Sequence, residues 1–177
     1  HYSLDAGSSA TSKLIRAAEI CRIADACTDH GIMSGLADHW FSAEKLYKTG
    51  KISTKIRSIH GIEAYVIDPY RPWKEFKNGK KEPEYYHLTI HFKTQRAYQY
   101  FCELTPKMQE RAIVKYGESK PLMTIEELEP ISGEITICSS CLVGVCQRNI
   151  LRGRSDLAIK LYERIRSIAG PGNFFVE

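Results

Sequence analysis

The chain of 177 residues carries 25 lysines and arginines against 21 acids, and its net charge of +4 is too small for its size to make the whole molecule a polyanion binder. It is long enough to bury a core without metal or disulfide staples, and Lys13, Arg16 and Glu19 interrupt the first apolar pattern, which excludes a membrane span or signal core in the sequence as it stands. Six cysteines, three of them within CSSCLVGVC, point to reduced thiols or metal ligands and so to an intracellular setting, cytoplasmic or nuclear.

His1 to Ser9 is polar and reads as a fraying end. Thr11 or Ser12 caps a helix whose stripe is Leu14, Ala17, Ala18, Cys21 and Ala24, widened by Ile20, Ile23 and Cys27. Cys21 and Cys27 fall on different faces of that helix and read as small core residues. Gly31 and Gly35 bracket a turn, and Leu36 to Lys48 reads as a second helix stopped by Gly50. His30 and His39, near these turns, read as solvent-facing or capping imidazoles. Lys45, Lys48, Lys51, Lys55 and Arg57 read as a solvated basic face.

From Ile59 the period becomes two. Ile62, Ala64 and Val66 share one face of a strand, Glu63, Tyr65 and Ile67 the other, and Asp68-Pro69 ends it. A second strand, Tyr85 to Phe92, turns Leu88, Ile90 and Phe92 inward and His87, Thr89 and His91 outward. Asn78-Gly79 marks a turn between them, with Trp73 to Phe76 adding paired residues. Thr94 caps a helix to Glu103, Thr105-Pro106 starts another to Tyr116, and Thr124 with Glu127 has capping-box spacing. Glu134 to Val145 reads as β, and Ser155 caps a last helix with the stripe Leu157, Leu161, Ile165 and Ile168, stopped at Gly170.

This order predicts an α+β domain: a small, mainly antiparallel sheet with helices packed on one face, an N-terminal helical pair and a C-terminal amphipathic helix. Residues 1–177 read as a single domain, with a helical extension over 1–52, a β-hairpin and kinked-helix core over 53–120, and a cysteine-containing strand and final helix over 121–177.

Four constellations bear on function. The loop RPWKEFKNGKK interleaves Arg71, Lys74, Lys77, Lys80 and Lys81 with Trp73 and Phe76, the pattern in which cations follow phosphates while rings stack on bases. The second basic group, Arg148, Arg152 and Arg154, approaches the last helix. Cys138 and Cys141 have the two-residue spacing of a zinc knuckle, with Cys146 as third ligand and a fourth drawn from Cys102, His30, His39 or His60. His87 and His91, four apart on a strand, stand about 13 Å apart along it, too far for one ion, and read as a polar face. The function that these residues favour is a non-enzymatic nucleic-acid-binding regulatory module for RNA or single-stranded DNA, supported by a structural zinc. A protein-interaction or self-assembly module built on Phe174, Phe175 and Val176 is the first alternative. An enzyme, metal- or cysteine-dependent, is the second.

Overall fold

The computed structural model describes residues 15, 20, 24–75, 77–115 and 117–177. The start of the first predicted helix, including its cap and Cys21, lies outside the described residues, as do Phe76 and Tyr116. The chain divides into two compact units, His1–Ile62 and Glu63–Glu177. No helix among the described residues is long and apolar enough to cross a membrane.

In the first unit the predicted helix does not reach Cys27. Asp25–Cys27 is instead strand β1, and it pairs in parallel with the beginning of β2 (Ser58–Ile67), Ala26 opposite Ile59 and Cys27 opposite His60. Helix α1 (Gly35–Lys48) forms as its periodicity predicts, and Gly50 takes a φ of 66° just beyond it, the left-handed geometry that a side chain resists. Ala43 of α1 closes a small core with Ile15, Ile52 and Ile56. Ile20, expected in a buried stripe, is exposed. The basic face is partly spent on pairing, since Lys48 and Lys55 both reach Glu44.

In the second unit the sheet runs β2, β5 (Tyr85–Phe92), β9 (Ile135–Cys138), β10 (Phe174–Phe175), with β8 (Leu122–Met123) beside β2. Between β2 and β5 the chain makes a ribbon, β3 (Trp73–Glu75) against β4 (Lys81–Pro83), whose antiparallel pairing and Asn78-Gly79 turn follow the sequence reading. A second ribbon pairs β6 (Ile113–Lys115) with β7 (Glu118–Lys120). The sheet is mixed: β5 and β9 are antiparallel, whereas β2 with β8 and β9 with β10 are parallel. Helices with a mixed sheet are consistent with the α+β class, but the expectation of a mainly antiparallel sheet is corrected. Parallel neighbours arise because β8 and β10 reach their partners only after long excursions of chain.

Helix α2 (Gln95–Glu110) is one element and not a kinked pair, because Pro106 is accommodated inside it while the Thr105 hydroxyl donates to the Phe101 carbonyl at 2.7 Å. Thr94 caps it, its Oγ1 accepting from the Ala97 amide at 3.1 Å. Replacing Thr94 with alanine should cost about 1 kcal/mol, within the roughly 0.5–2 kcal/mol range of such caps, read as a lower urea midpoint at unchanged slope. The capping box forms as predicted: the Thr124 amide donates to Glu127 at 2.8 Å, opening a 3-10 helix, Ile125–Ile131.

The predicted β segment ends early. After Cys138 the chain turns through Ser140, a non-glycine residue at φ 65°, and Val145 begins helix α3 (Val145–Leu151), so Leu142 and Val143 do not continue the strand. Helix α4 (Ser155–Ala169) buries Ala158, Leu161, Ile165 and Ile168, with Leu157 only half-buried and Arg154, not Ser155, at the N-cap. The centre of this unit is apolar: Leu88, Ile90, Phe101, Leu128 and Leu161 are essentially inaccessible, each contributing about 1.5–3 kcal/mol by burial.

Candidate metal centre

The second unit brings together side chains that come from separate stretches of sequence. Glu63, on β2, is buried although it is a carboxylate, and burial of a charge demands partners. The Ser140 hydroxyl donates to its Oε1 at 2.6 Å, and Nδ1 of His87, on β5, lies 3.3 Å from the same oxygen. Cys141 Sγ stands 3.6 Å from His87 Nδ1. The Tyr65 ring meets the His87 ring edge-on at 5.1 Å. An open cavity of about 460 Å³ adjoins this group, lined by Glu63, Thr89, Ser140, Cys141 and Gln147 among others.

The loop after β9 is what carries Ser140 and Cys141 to this place. Its backbone is fixed at both ends: the His87 amide donates to the Val143 carbonyl at 3.3 Å, and Gly144 donates to Cys141 at 2.7 Å. Gln147 holds it from below, donating to Ser139 Oγ at 2.6 Å and to the Ser140 carbonyl at 3.0 Å. The left-handed Ser140 stores about 1–3 kcal/mol of strain, which these contacts offset.

The separations suit a bound ion. With ligand bonds of about 2.0–2.3 Å, two donors of one tetrahedral ion stand roughly 3.3–3.7 Å apart. Both the Glu63–His87 and the His87–Cys141 distances match that span. Carboxylate, imidazole and thiolate together form a donor set suited to zinc.

The residues that the sequence singled out fall in differing environments. Cys138 is buried at the end of β9 and Cys146 is buried on α3, its Sγ 4.0 Å from the Ala158 carbonyl. Burial first, and for Cys138 also Glu177, pushes both thiols up to about 11. Of the three cysteines, only Cys141 is exposed and stands beside His87. Arg71, Trp73, Lys74, Lys77, Lys80 and Lys81 all lie on the exposed ribbon, Lys80 paired with Glu82 at 2.9 Å. Arg148 and Arg152 both pair with the buried Glu84, at 3.2 and 2.5 Å. Arg154 is half-buried at the head of α4. Phe174 and Phe175 pair with β9, and Phe174 packs edge-on against Tyr162.

Sequence reasoning missed Glu63, which it placed on a strand face without a role. The signal was present: Glu63 shares its face with Tyr65 and Ile67, and a lone carboxylate in an apolar row needs a partner. It also missed His39 of the first unit, which is buried and bonded to Asp25 and His60 instead of facing solvent.

Comparison with known proteins adds an independent line. The family model of the PHP domain matches residues 1–177. The DNA polymerase III subunit alpha of Treponema pallidum is 31% identical over 179 aligned residues, covering 100% of this chain and 14% of that protein. The subunit of the same description from Borreliella burgdorferi is 31% identical over 160 residues, covering 88% of the chain and 12% of that protein. The chain therefore spans only about an eighth of the length of these relatives. The match across the full chain overturns the reading of a non-enzymatic nucleic-acid-binding regulatory module. The interleaved rings and lysines lie on a solvated β-ribbon, where lysines alone already account for solubility, so their composition does not by itself carry that function.

Proposed function

Because this chain belongs to the PHP-domain family, we propose that it is the metal-binding, hydrolase-like domain of a subunit of the DNA polymerase III alpha type. Glu63 and His87 are ligands of a divalent ion of the zinc kind, with Cys141 beside them. The observation that carries this is the pairing of the buried Glu63 carboxylate with the half-buried His87, 3.3 Å apart, beside an open cavity of about 460 Å³. The relatives are bacterial polymerase subunits, so the setting is the bacterial cytoplasm. That keeps the intracellular reading of the composition and drops its nuclear branch.

A divalent ion supplies Lewis-acid activation of water and of a phosphoryl oxygen, which makes phosphoester hydrolysis the reaction class. The chain's own groups prepare the place. The Ser140 hydroxyl holds the Glu63 carboxylate in one orientation. The Val143 carbonyl fixes the backbone from which His87 projects, and Tyr65 limits rotation of its ring. The open cavity, lined also by Thr89 and Leu142, gives a substrate access to the pair.

Elemental analysis of the purified protein should find bound metal that falls by one equivalent in Glu63→Gln and in His87→Ala. Hydrolysis of a phosphomonoester should fall with it by roughly two orders of magnitude or more, beyond the 10–100-fold typical of groups that only support a ligand. Metal content unchanged in both variants would remove these residues as ligands and the reading with them.

A further inference from the structure

The first unit holds a polar constellation that the Glu63–His87 pair leaves unused. His39 lies on the inward face of α1 and is only 2% exposed. Its Nε2 stands 3.0 Å from Oδ2 of Asp25 on β1, and its Nδ1 stands 3.3 Å from Nε2 of His60 on β2. A carboxylate only accepts, so Nε2 of His39 carries the proton, and Nδ1 of the neutral ring presents a lone pair. That lone pair faces another imidazole nitrogen.

Two ring nitrogens at this distance either share one proton or hold one ion. With metal–nitrogen bonds of about 2.0–2.1 Å and tetrahedral angles, two ligating nitrogens stand roughly 3.3–3.4 Å apart, which is the separation found. A carboxylate on the far nitrogen of one ring is how metal-ligating histidines are held in tautomer and orientation, and Asp25 occupies that position. A second carboxylate of this unit is buried. Asp29 is 8% exposed and its Oδ2 finds no hydrogen-bond partner among the described residues. A buried carboxylate left partly unsatisfied is relieved by a nearby cation.

We propose that His39 Nδ1 and His60 Nε2 seat a divalent transition-metal ion of the zinc type, oriented by Asp25 and made of residues other than the Glu63–His87 pair. Three elements, α1, β1 and β2, each supply one member. On binding, neutral His60 moves its proton from Nε2 to Nδ1 and no proton is released.

Cobalt(II), which reports its coordination by visible absorption, is the probe, used on the full chain. A variant lacking the other pair, Glu63→Gln with His87→Ala, should still bind one equivalent. Adding His60→Gln should abolish that equivalent, and adding Asp25→Asn in its place should weaken it by about 10–100-fold. His60 is half-buried and β2 continues past it, so His60→Gln is gentler than a change at the buried His39, and circular dichroism verifies its fold. The single variant His60→Gln in the otherwise unaltered chain should likewise lose one equivalent, which keeps the test alive if the multiple variants do not fold. No cobalt in the folded Glu63→Gln, His87→Ala variant, or an equal amount after His60→Gln, would show that the nitrogens share a proton only. Failure at Glu63 and His87 would appear separately, as equal metal content with and without those two changes.

Discussion

Replacing Arg148 and Arg152 together with alanine is expected to cost about 3–5 kcal/mol of unfolding free energy, the range for stripping the partners from a buried charge. Glu84 is 7% exposed and receives both guanidinium groups. Arg148 adds a bond to the Tyr85 carbonyl at 3.0 Å and lies over the Tyr86 ring, so its removal also uncovers the start of β5. The loss should be measured by urea unfolding, and adding Glu84→Gln to the double variant should recover part of it by neutralising the stranded carboxylate. A loss below about 1 kcal/mol would place the pairs among ordinary surface ion pairs. These two arginines were read from the sequence as a ligand-facing cluster. Their charges also tie the end of α3 to the start of the strand that carries His87.

Gly144→Ala is expected to cost roughly 3 kcal/mol or more, at the upper end of overpacking effects. The reason is space and not backbone conformation. A Cβ there would meet the Ser139 carbonyl oxygen at 2.1 Å, the Cys141 carbonyl oxygen at 2.7 Å and Gln147 Oε1 at 2.7 Å. Two of these are backbone atoms and cannot swing aside, so the loop itself must shift. That loop positions Ser140 and Cys141, and metal content should therefore fall together with the unfolding midpoint. A variant as stable as the parent, with its metal retained, would show that the loop has slack that these distances do not allow.

Much of the local structure was legible because its causes are local. Strand β5 has the limits that alternation gave it, and the Thr94 cap and the Thr124–Glu127 box follow from residue types three apart. His39 could have been read better: with Leu36 three residues before it and Ala43 four after, it falls on the buried stripe of α1. The candidate centre was not legible in the same way. Ser140 reaches Glu63 across 77 positions of sequence, and Cys141 reaches His87 across 54. Periodicity places a side chain on a face but does not say which distant strand will lie beside it. Strand spacing sets His87 apart from His91, and His87 acquires its partner from β2. The cysteines differ in setting in a way that their spacing does not show, since Cys138 is buried and Cys141, beyond the left-handed Ser140, is exposed.

The position of β9 has a consequence for how the chain is made. It lies between β5, more than forty residues earlier, and β10, more than thirty residues later. Neither neighbour is joined to it by a short turn, so both pairings close long loops, and topologies of this kind fold on the order of milliseconds to seconds. During synthesis at about 5–20 residues per second, β9 emerges roughly two to eight seconds before Phe174 and Phe175, leaving one edge of an apolar strand unpaired over that interval. A nascent chain halted before Phe174 should therefore be captured by chaperones that bind exposed strands, and one extended past Phe175 should escape them.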